Sequence, residues 1–294
     1  MRKREKHLAL LTFLGPAAVL YAVFFLLPMA QSFYVSLFRW RGVSMNKEFV
    51  GVENFRKLAT DDPVFWTALG HNGAFLLASF AVVIPLALLF AVMLSKGRKG
   101  SQAYRAIFLF PNMISVVAVA ALWSFVYHPT FGILNSILKL VGQEKLVTGW
   151  LGDPHYALPS IIVTSIWYSL GFYIVLFLAG VQSIPRTFYE AAEIDGANAI
   201  QQFRFITIPL LWEVLKLGVV YLVINTLNIF GLVWVMTEGG PNSHTETLLT
   251  YLYRRAFVES DFGYATAVGV AVFLIVLTMS LTFLRIMKRE VVRY

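Results

Sequence analysis

The sequence predicts an all-α polytopic membrane protein: six transmembrane helices, both termini cytoplasmic, and a polar helical insert between the fourth and fifth spans. Three observations carry this. The 294 residues are 58% hydrophobic and 14% charged, with a mean hydropathy of +0.70, whereas a soluble domain is roughly 25% charged. A helix crossing a bilayer core needs about 20 apolar residues, and six segments meet that length, at 10–34, 69–94, 106–127, 156–180, 214–236 and 264–284. Residues 181–213 are different in kind, because Glu190, Glu193, Asp195 and Arg204 sit where an Asp or Arg at a bilayer centre would cost about 2.5–3.5 kcal/mol. That insert belongs in water.

The first span follows Arg2, Lys3, Arg4 and Lys6. Its apolar run is longer than a signal-peptide core and lacks an A-x-A cleavage site, so it is read as an uncleaved span. An even number of spans puts both termini on one side. The segments on that side carry fifteen of the 24 Lys and Arg, including Lys96, Arg98, Lys99 and Arg293, but only six of the sixteen acids. The positive-inside rule makes that side cytoplasmic. The formal charge of +8 is thereby a topology signal and calls for no nucleic acid. Zero Cys excludes disulfides and thiolate chemistry, and the five His never fall three or four residues apart, which argues against zinc. The segments 38–66, 128–155 (with a turn and helix from Gly132 to Leu138) and 237–262 are long enough to form an external docking surface.

Within the insert, Thr187 and Glu190 have the spacing of a capping box, and Pro185 sets the entry, so a short helix is expected from about Phe188. Asp195-Gly196 marks a turn. A second helical stretch from Asn198 to Ile206 would put Ile200, Phe203, Arg204 and Thr207 on one side, and Pro209 restricts the residue before it as the next span begins. A helix lying on the inner leaflet would carry Lys and Arg on its polar face. This one carries Glu190, Glu193 and Asp195, which favours docking into a protein. The chain has no G-x-x-x-x-G-K-[ST] phosphate loop and no Gly-Lys pair, so any ATP is hydrolysed elsewhere.

Glu190-Ala191-Ala192, then Gly196 after three residues, then Ile206-Thr207-Ile208-Pro209 after nine more, resembles the E-A-A loop of ATP-binding-cassette importer permeases. Ile208 stands where Leu is commonest. Phe49-Val50-Gly51-Val52-Glu53-Asn54-Phe55, Asp62-Pro63-Val64-Phe65-Trp66, Trp150-Leu151-Gly152-Asp153-Pro154 and Thr237-Glu238-Gly239-Gly240-Pro241 with Thr245 and Thr247 resemble the carbohydrate branch of that family. The likeness runs from about residue 10 to 285. It implies one permease domain over 1–294 in a bacterial cytoplasmic membrane, moving a sugar by alternating access. It also implies a second, non-identical permease, an ATPase dimer using ATP and Mg, and an extracytoplasmic solute-binding protein; this chain would bind no cofactor. The coupling residues it implies are Glu190 as the charged contact, Ala191 and Ala192 for close approach, Asp195, Gly196 as the elbow, Ala197 and Pro209.

For the sugar path, Ser165, Tyr168, Ser169 and Phe172 recur at i, i+3, i+4 and i+7 on the fourth span, interleaved with Trp167 and Tyr173, while Asn225 and Asn228 lie at i, i+3 on the fifth. Amides and hydroxyls beside aromatic faces suit a neutral sugar. The same residue types also serve as interhelical hydrogen bonds in membrane bundles, so the pattern alone leaves both roles open. Asn112, Trp123 and Tyr127 could line the external mouth or simply pack helices. An ion-coupled secondary transporter would need an ionisable residue within a span or visibly broken helices, and no span centre carries Asp, Glu, Lys or Arg. A membrane-embedded enzyme lacks any converging His, Asp or Glu cluster. The alternative within the same class, an importer of a phosphorylated polyol such as glycerol phosphate, would demand cationic ligands that these spans do not offer and that a partner permease would have to supply.

Overall fold

The computed structural model describes residues 3–42, 46–95 and 101–289; the basic residues Arg2, Lys96, Arg98, Lys99 and Arg293 counted above lie outside them. Helices α1 (Lys3–Tyr21) and α2 (Leu27–Val35) join through a π-helical turn at Ala22–Leu26. Two-residue strands β1 (Phe38–Arg39) and β2 (Glu48–Phe49) follow, then α3 (Glu53–Thr60), α4 (Pro63–Ser95), α5 (Ser101–Met113), α6 (Val116–Val126) and α7 (Ile133–Leu140). The chain continues as α8 (Pro154–Ser183), α9 (Arg186–Ile194), α10 (Ala199–Gln202), α11 (Ile208–Leu210), α12 (Trp212–Leu227), α13 (Gly231–Thr237), α14 (Leu248–Tyr253) and α15 (Phe262–Ile286).

Among the described residues, five stretches are long and apolar enough to cross a membrane, at Thr12–Val35, Pro63–Ser95, Pro154–Ser183, Trp212–Thr237 and Phe262–Ile286. The third expected span, 106–127, is not one straight helix. Its two parts, α5 and α6, bend by 96°. Pro111 inside α5 has no N–H to continue the ladder, and Ser115 leaves the helix at φ −56°, ψ 136°. The fifth span is interrupted as well: α12 ends at Leu227 and α13 resumes at Gly231, with Phe230 at φ −137°, ψ −64°.

The chain divides into two compact units. One comprises residues 1–62 and 252–274. Here Asn54 of α3 donates to the carbonyls of Ser36 (2.8 Å) and Phe38 (3.0 Å), β1 pairs antiparallel with β2, and Tyr264 donates to the Asp62 carboxylate. The Val-Gly-Val-Glu-Asn run of the sequence is therefore a structural latch: Gly51 turns with φ +58° so that Asn54 can reach one carbonyl at the end of α2 and one in β1.

The second unit holds residues 63–251 and 275–294. Its main core is built from α4, α8 and α12, with Val83, Ala87, Ile174, Phe177 and Val223 fully buried. A smaller core joins α4 and α8 to α6 and α13 through Phe75, Ala120, Ile161 and Val233. Small residues set the spacing. A Cβ on Gly171 of α8 would fall inside the Phe108 carbonyl of α5, and one on Gly218 of α12 would lie 2.7 Å from the Phe177 ring. α8 itself starts cleanly because Asp153 accepts the His155 backbone N–H at 2.8 Å and Pro154 supplies the first turn. That backbone bond holds the Asp153 carboxyl below its usual range.

Candidate functional site

Gly171 brings α5 against α8 one turn before the bend, so Asn112 of α5 arrives beside the polar face of α8. From the other side, the break after α12 turns Asn228, Ile229 and Phe230 toward the same place. Between them lies a cavity of about 290 Å³. All six residues expected for the sugar path line it: Ser165, Tyr168, Ser169 and Phe172 from α8, and Asn225 and Asn228 at the end of α12.

The two amides are oriented by their own helix. Asn225 Nδ2 donates to the Tyr221 carbonyl and Asn228 Nδ2 to the Ile224 carbonyl, each at 2.8 Å. With each nitrogen so engaged, its Oδ1 is left as an acceptor on an exposed side chain. Tyr168 makes a long 3.4 Å bond to the Ile114 carbonyl, which the bend between α5 and α6 sets free. Phe172, Tyr173 and Tyr221 form an aromatic wall, with ring centroids 4.7 Å (Phe172 to Tyr221) and 5.3 Å (Phe172 to Tyr173) apart. The lining contains hydroxyls, amides and aromatic rings but no Asp, Glu, Lys, Arg or His.

The lining also includes Ser79, Tyr173 and Tyr221, which the site expectation did not include. Ser79 sits on a continuous apolar helix whose sequence gives no polar periodicity, and Tyr221 lies one turn before Asn225, a spacing that could have pointed to it. Asn112 belongs to this cavity, whereas Trp123 and Tyr127 do not join it. Tyr127 is buried and donates to the Ser160 carbonyl at 3.1 Å, and Trp123 packs on the Tyr127 and Trp167 rings. The packing alternative holds for that pair.

The insert folds as helix, elbow and helix, with corrections in detail. α9 begins at Arg186, capped by no side chain. Pro185, at φ −58°, ψ 134°, accepts the Phe188 N–H at 3.3 Å, so the helix has started before Thr187 could cap it. The capping box is instead Asn198 with Gln201: Asn198 Oδ1 accepts from Ile200 N and Gln201 N at 3.0 Å, and Gln201 Oε1 accepts from Asn198 N at 2.8 Å. Between the helices Gly196 has φ +78°. Its N–H reaches the Glu193 carbonyl (3.0 Å) while Ala197 N–H reaches Ala192 (2.8 Å), the paired bonds of a Schellman stop.

The expected single face of Ile200, Phe203, Arg204 and Thr207 splits. A π-helical turn at Phe203–Thr207 changes the row, leaving Thr207 2% and Ile200 77% exposed. Glu190, Ala191, Asp195 and Gly196 are exposed, while Ala192, Ala197 and Pro209 are half-buried. Phe188, Ile194, Ile200 and Phe205 are also exposed. Beneath α9 a cleft lined by Gln182, Arg186, Tyr189, Glu193, Gln202 and Thr207 separates it from the ends of the spans. The residues expected on the sugar path and those of the insert therefore line two separate cavities.

A bundle of apolar spans, two of them broken around an uncharged polar cavity, with an amphipathic loop beside them, defines a membrane transport subunit. Residues 83–290 match the family described as binding-protein-dependent transport system inner membrane component, and the chain belongs to that family. It is 36% identical to a probable ABC transporter permease, YurN, of Bacillus subtilis, over 94% of each chain. It is 32% identical to the trehalose/maltose transport system permease protein MalF of Thermococcus litoralis, over 97% of this chain and 95% of that one. It is 36% identical to the diacetylchitobiose uptake system permease protein NgcF of Streptomyces coelicolor, over 88% and 76%. Its fold is shared with a bacterial ABC transporter involved in the import of the acidic polysaccharide alginate, at a TM-score of 0.84 with 97% of each chain covered and 24% identity. The chain is thus a multi-pass permease subunit of the inner membrane, a non-enzymatic component.

Proposed function

We propose that this chain is one of two non-identical permeases of an ATP-driven importer for a neutral sugar or oligosaccharide. The observation that carries the reading is the composition of the cavity: Asn225, Asn228, Ser165, Ser169 and Tyr168 beside Phe172, Tyr173 and Tyr221, with no charged side chain. Such a site offers hydrogen bonds to hydroxyls and flat faces to the C–H surface of a sugar ring. Relatives whose names specify trehalose/maltose and diacetylchitobiose support the substrate class.

The insert is the docking element. Exposed apolar side chains at Ile194 (88%), Ile200 (77%) and Phe205 (69%) flank the Gly196 elbow on a loop too polar for the bilayer, an arrangement that asks for a protein cover. On this reading the loop and both termini are cytoplasmic. Glu190, Ala191, Ala192, Asp195, Gly196, Ala197 and Pro209 meet an ATPase dimer that supplies ATP and Mg chemistry, and an extracytoplasmic binding protein delivers the sugar to the opposite face. The whole of 1–294 acts as one permease domain.

Helix breaks are also a feature of ion-coupled transporters, but the uncharged cavity gives a proton or cation no carboxylate to ride on. A competition panel tests the substrate class. Neutral oligosaccharides should block labelled sugar uptake by the reconstituted complex, and glycerol phosphate should not. Competition by glycerol phosphate alone would sink the neutral-sugar reading.

A further inference from the structure

The cavity forms where α12 stops, and a helix that stops leaves its last carbonyls without the N–H groups four residues on. Those of Thr226 and Leu227 are taken by one buried side chain. Asn72 of α4, with no exposed surface, donates Nδ2 to Thr226 O at 2.8 Å and to Leu227 O at 3.3 Å. Its Oδ1 accepts the backbone N–H of Leu248 at 2.9 Å. A single amide thus joins the break to the start of α14.

Neighbouring bonds make the same connection. Thr247 Oγ1 donates to the Ile229 carbonyl at 3.1 Å, and the His71 ring nitrogen lies 2.8 Å from the Glu246 carbonyl. The loop before them is internally braced: Thr237 Oγ1 lies 2.7 Å from Thr245 Oγ1, which donates to Gly240 O at 2.6 Å. A Cβ on Gly239 would sit 2.6 Å from the Glu246 carboxylate. Residues 237–247 are therefore braced as one piece, and the piece ends against Asn72.

We propose that Asn72 is a positioning residue: it ties loop 237–247 to the break at 226–229, so that displacement of the loop resets Asn225 and Asn228 in the cavity. This rests on the reading of that cavity as the substrate site. Leu has the heavy-atom count and branching of Asn and makes none of the three bonds, so Asn72→Leu cuts the tie.

In the reconstituted complex, Asn72→Leu is expected to raise the half-saturating sugar concentration for uptake about tenfold, with Vmax per assembled complex within twofold. A merely structural role would lower Vmax and assembly together and leave KM alone, and that result overturns the proposal. Amide hydrogen exchange reads the tie whatever the sugar: exchange at 226–231 and at Leu248 should quicken together, about tenfold, with 216–222 unchanged. Unchanged exchange, or a uniform rise along the fifth span, also overturns it. Should Asn72→Leu not assemble, Thr247→Val decides, because it removes the bond to Ile229 and the 3.2 Å contact with Thr250 Oγ1 but none of the Asn72 bonds, and should shift KM and exchange in the same sense by a smaller factor. A wild-type complex that takes up no neutral sugar would contradict the substrate assignment instead, leaving the exchange result to judge the tie.

Discussion

The Tyr189 hydroxyl lies 3.0 Å from Thr207 Oγ1, so a residue in the middle of α9 is joined to the foot of the fifth span across the Gly196 elbow. Thr207 is 2% exposed and immediately precedes α11. On the proposed docking of an ATPase against α9, this contact links the docked helix to the start of the span that carries Asn225 and Asn228.

Tyr189→Phe removes one hydroxyl from this connection and leaves the ring. A hydrogen bond of this kind contributes about 1 kcal/mol, or about a fivefold effect. Sugar moved per ATP hydrolysed should fall by about that factor while the ATPase remains bound; the check is paired uptake and phosphate release on one preparation. An unchanged ratio would remove Tyr189 from the coupling path.

Gly196 sits at φ +78°, and a Cβ added there would meet nothing within 4 Å, so substitution strains the backbone without an internal clash. A non-Gly residue at this angle costs about 1–2 kcal/mol, enough to loosen the Schellman stop. Gly196→Asp should leave the chain inserted in the membrane and abolish transport, and Glu190→Ala should weaken ATPase docking by losing a charge-assisted contact. Co-purification of the ATPase with each variant separates the two effects. Full transport by Gly196→Asp would exclude the elbow from coupling.

Asn225→Leu and Asn228→Leu each remove an acceptor from the cavity while keeping the side chain's branching and heavy-atom count. Uptake should be lost with assembly intact, since among the described residues both Asn side chains bond only their own helix. Normal uptake by both variants would place the sugar elsewhere.

Gly171→Leu should prevent stable assembly, because its side chain would replace a direct contact between α8 and the Phe108 carbonyl of α5; overpacking of this kind costs about 1–3 kcal/mol or more. Yield of monodisperse protein after detergent extraction measures it. Wild-type yield would show that α5 is free to move away.

The spans and the cavity are legible in the sequence to different degrees. Six apolar lengths are plain, and the i, i+3, i+4, i+7 polar stripe of α8 leads to the cavity because a helical period maps directly onto one face. The bend at Ile114–Ser115 is not legible, since Asn112 and Ser115 are only brief polar interruptions in a run long enough to read as one span, and Pro111 alone marks the ladder it disrupts. Asn72 escapes for the same reason: a lone amide in a long apolar helix reads as an isolated polar residue until the break it satisfies is seen. In the insert, Thr187 and Asn198 both have capping-box spacing. Pro185 decides between them, because its extended backbone starts α9 early enough to leave Thr187 inside the first turn. The resemblance names the loop, but the Schellman bonds at Ala192 and Glu193 show how its elbow is held.

ATP, and not an ion gradient, should drive a neutral sugar through this permease. The direct measurement is uptake of labelled oligosaccharide into proteoliposomes carrying the full complex, with sugar-loaded binding protein outside and ATP inside, before and after ionophores collapse all ion gradients. Accumulation should require both ATP and the binding protein and should be unchanged by ionophores. Uptake that persists without ATP and disappears with the ion gradient would contradict an ATP-driven importer.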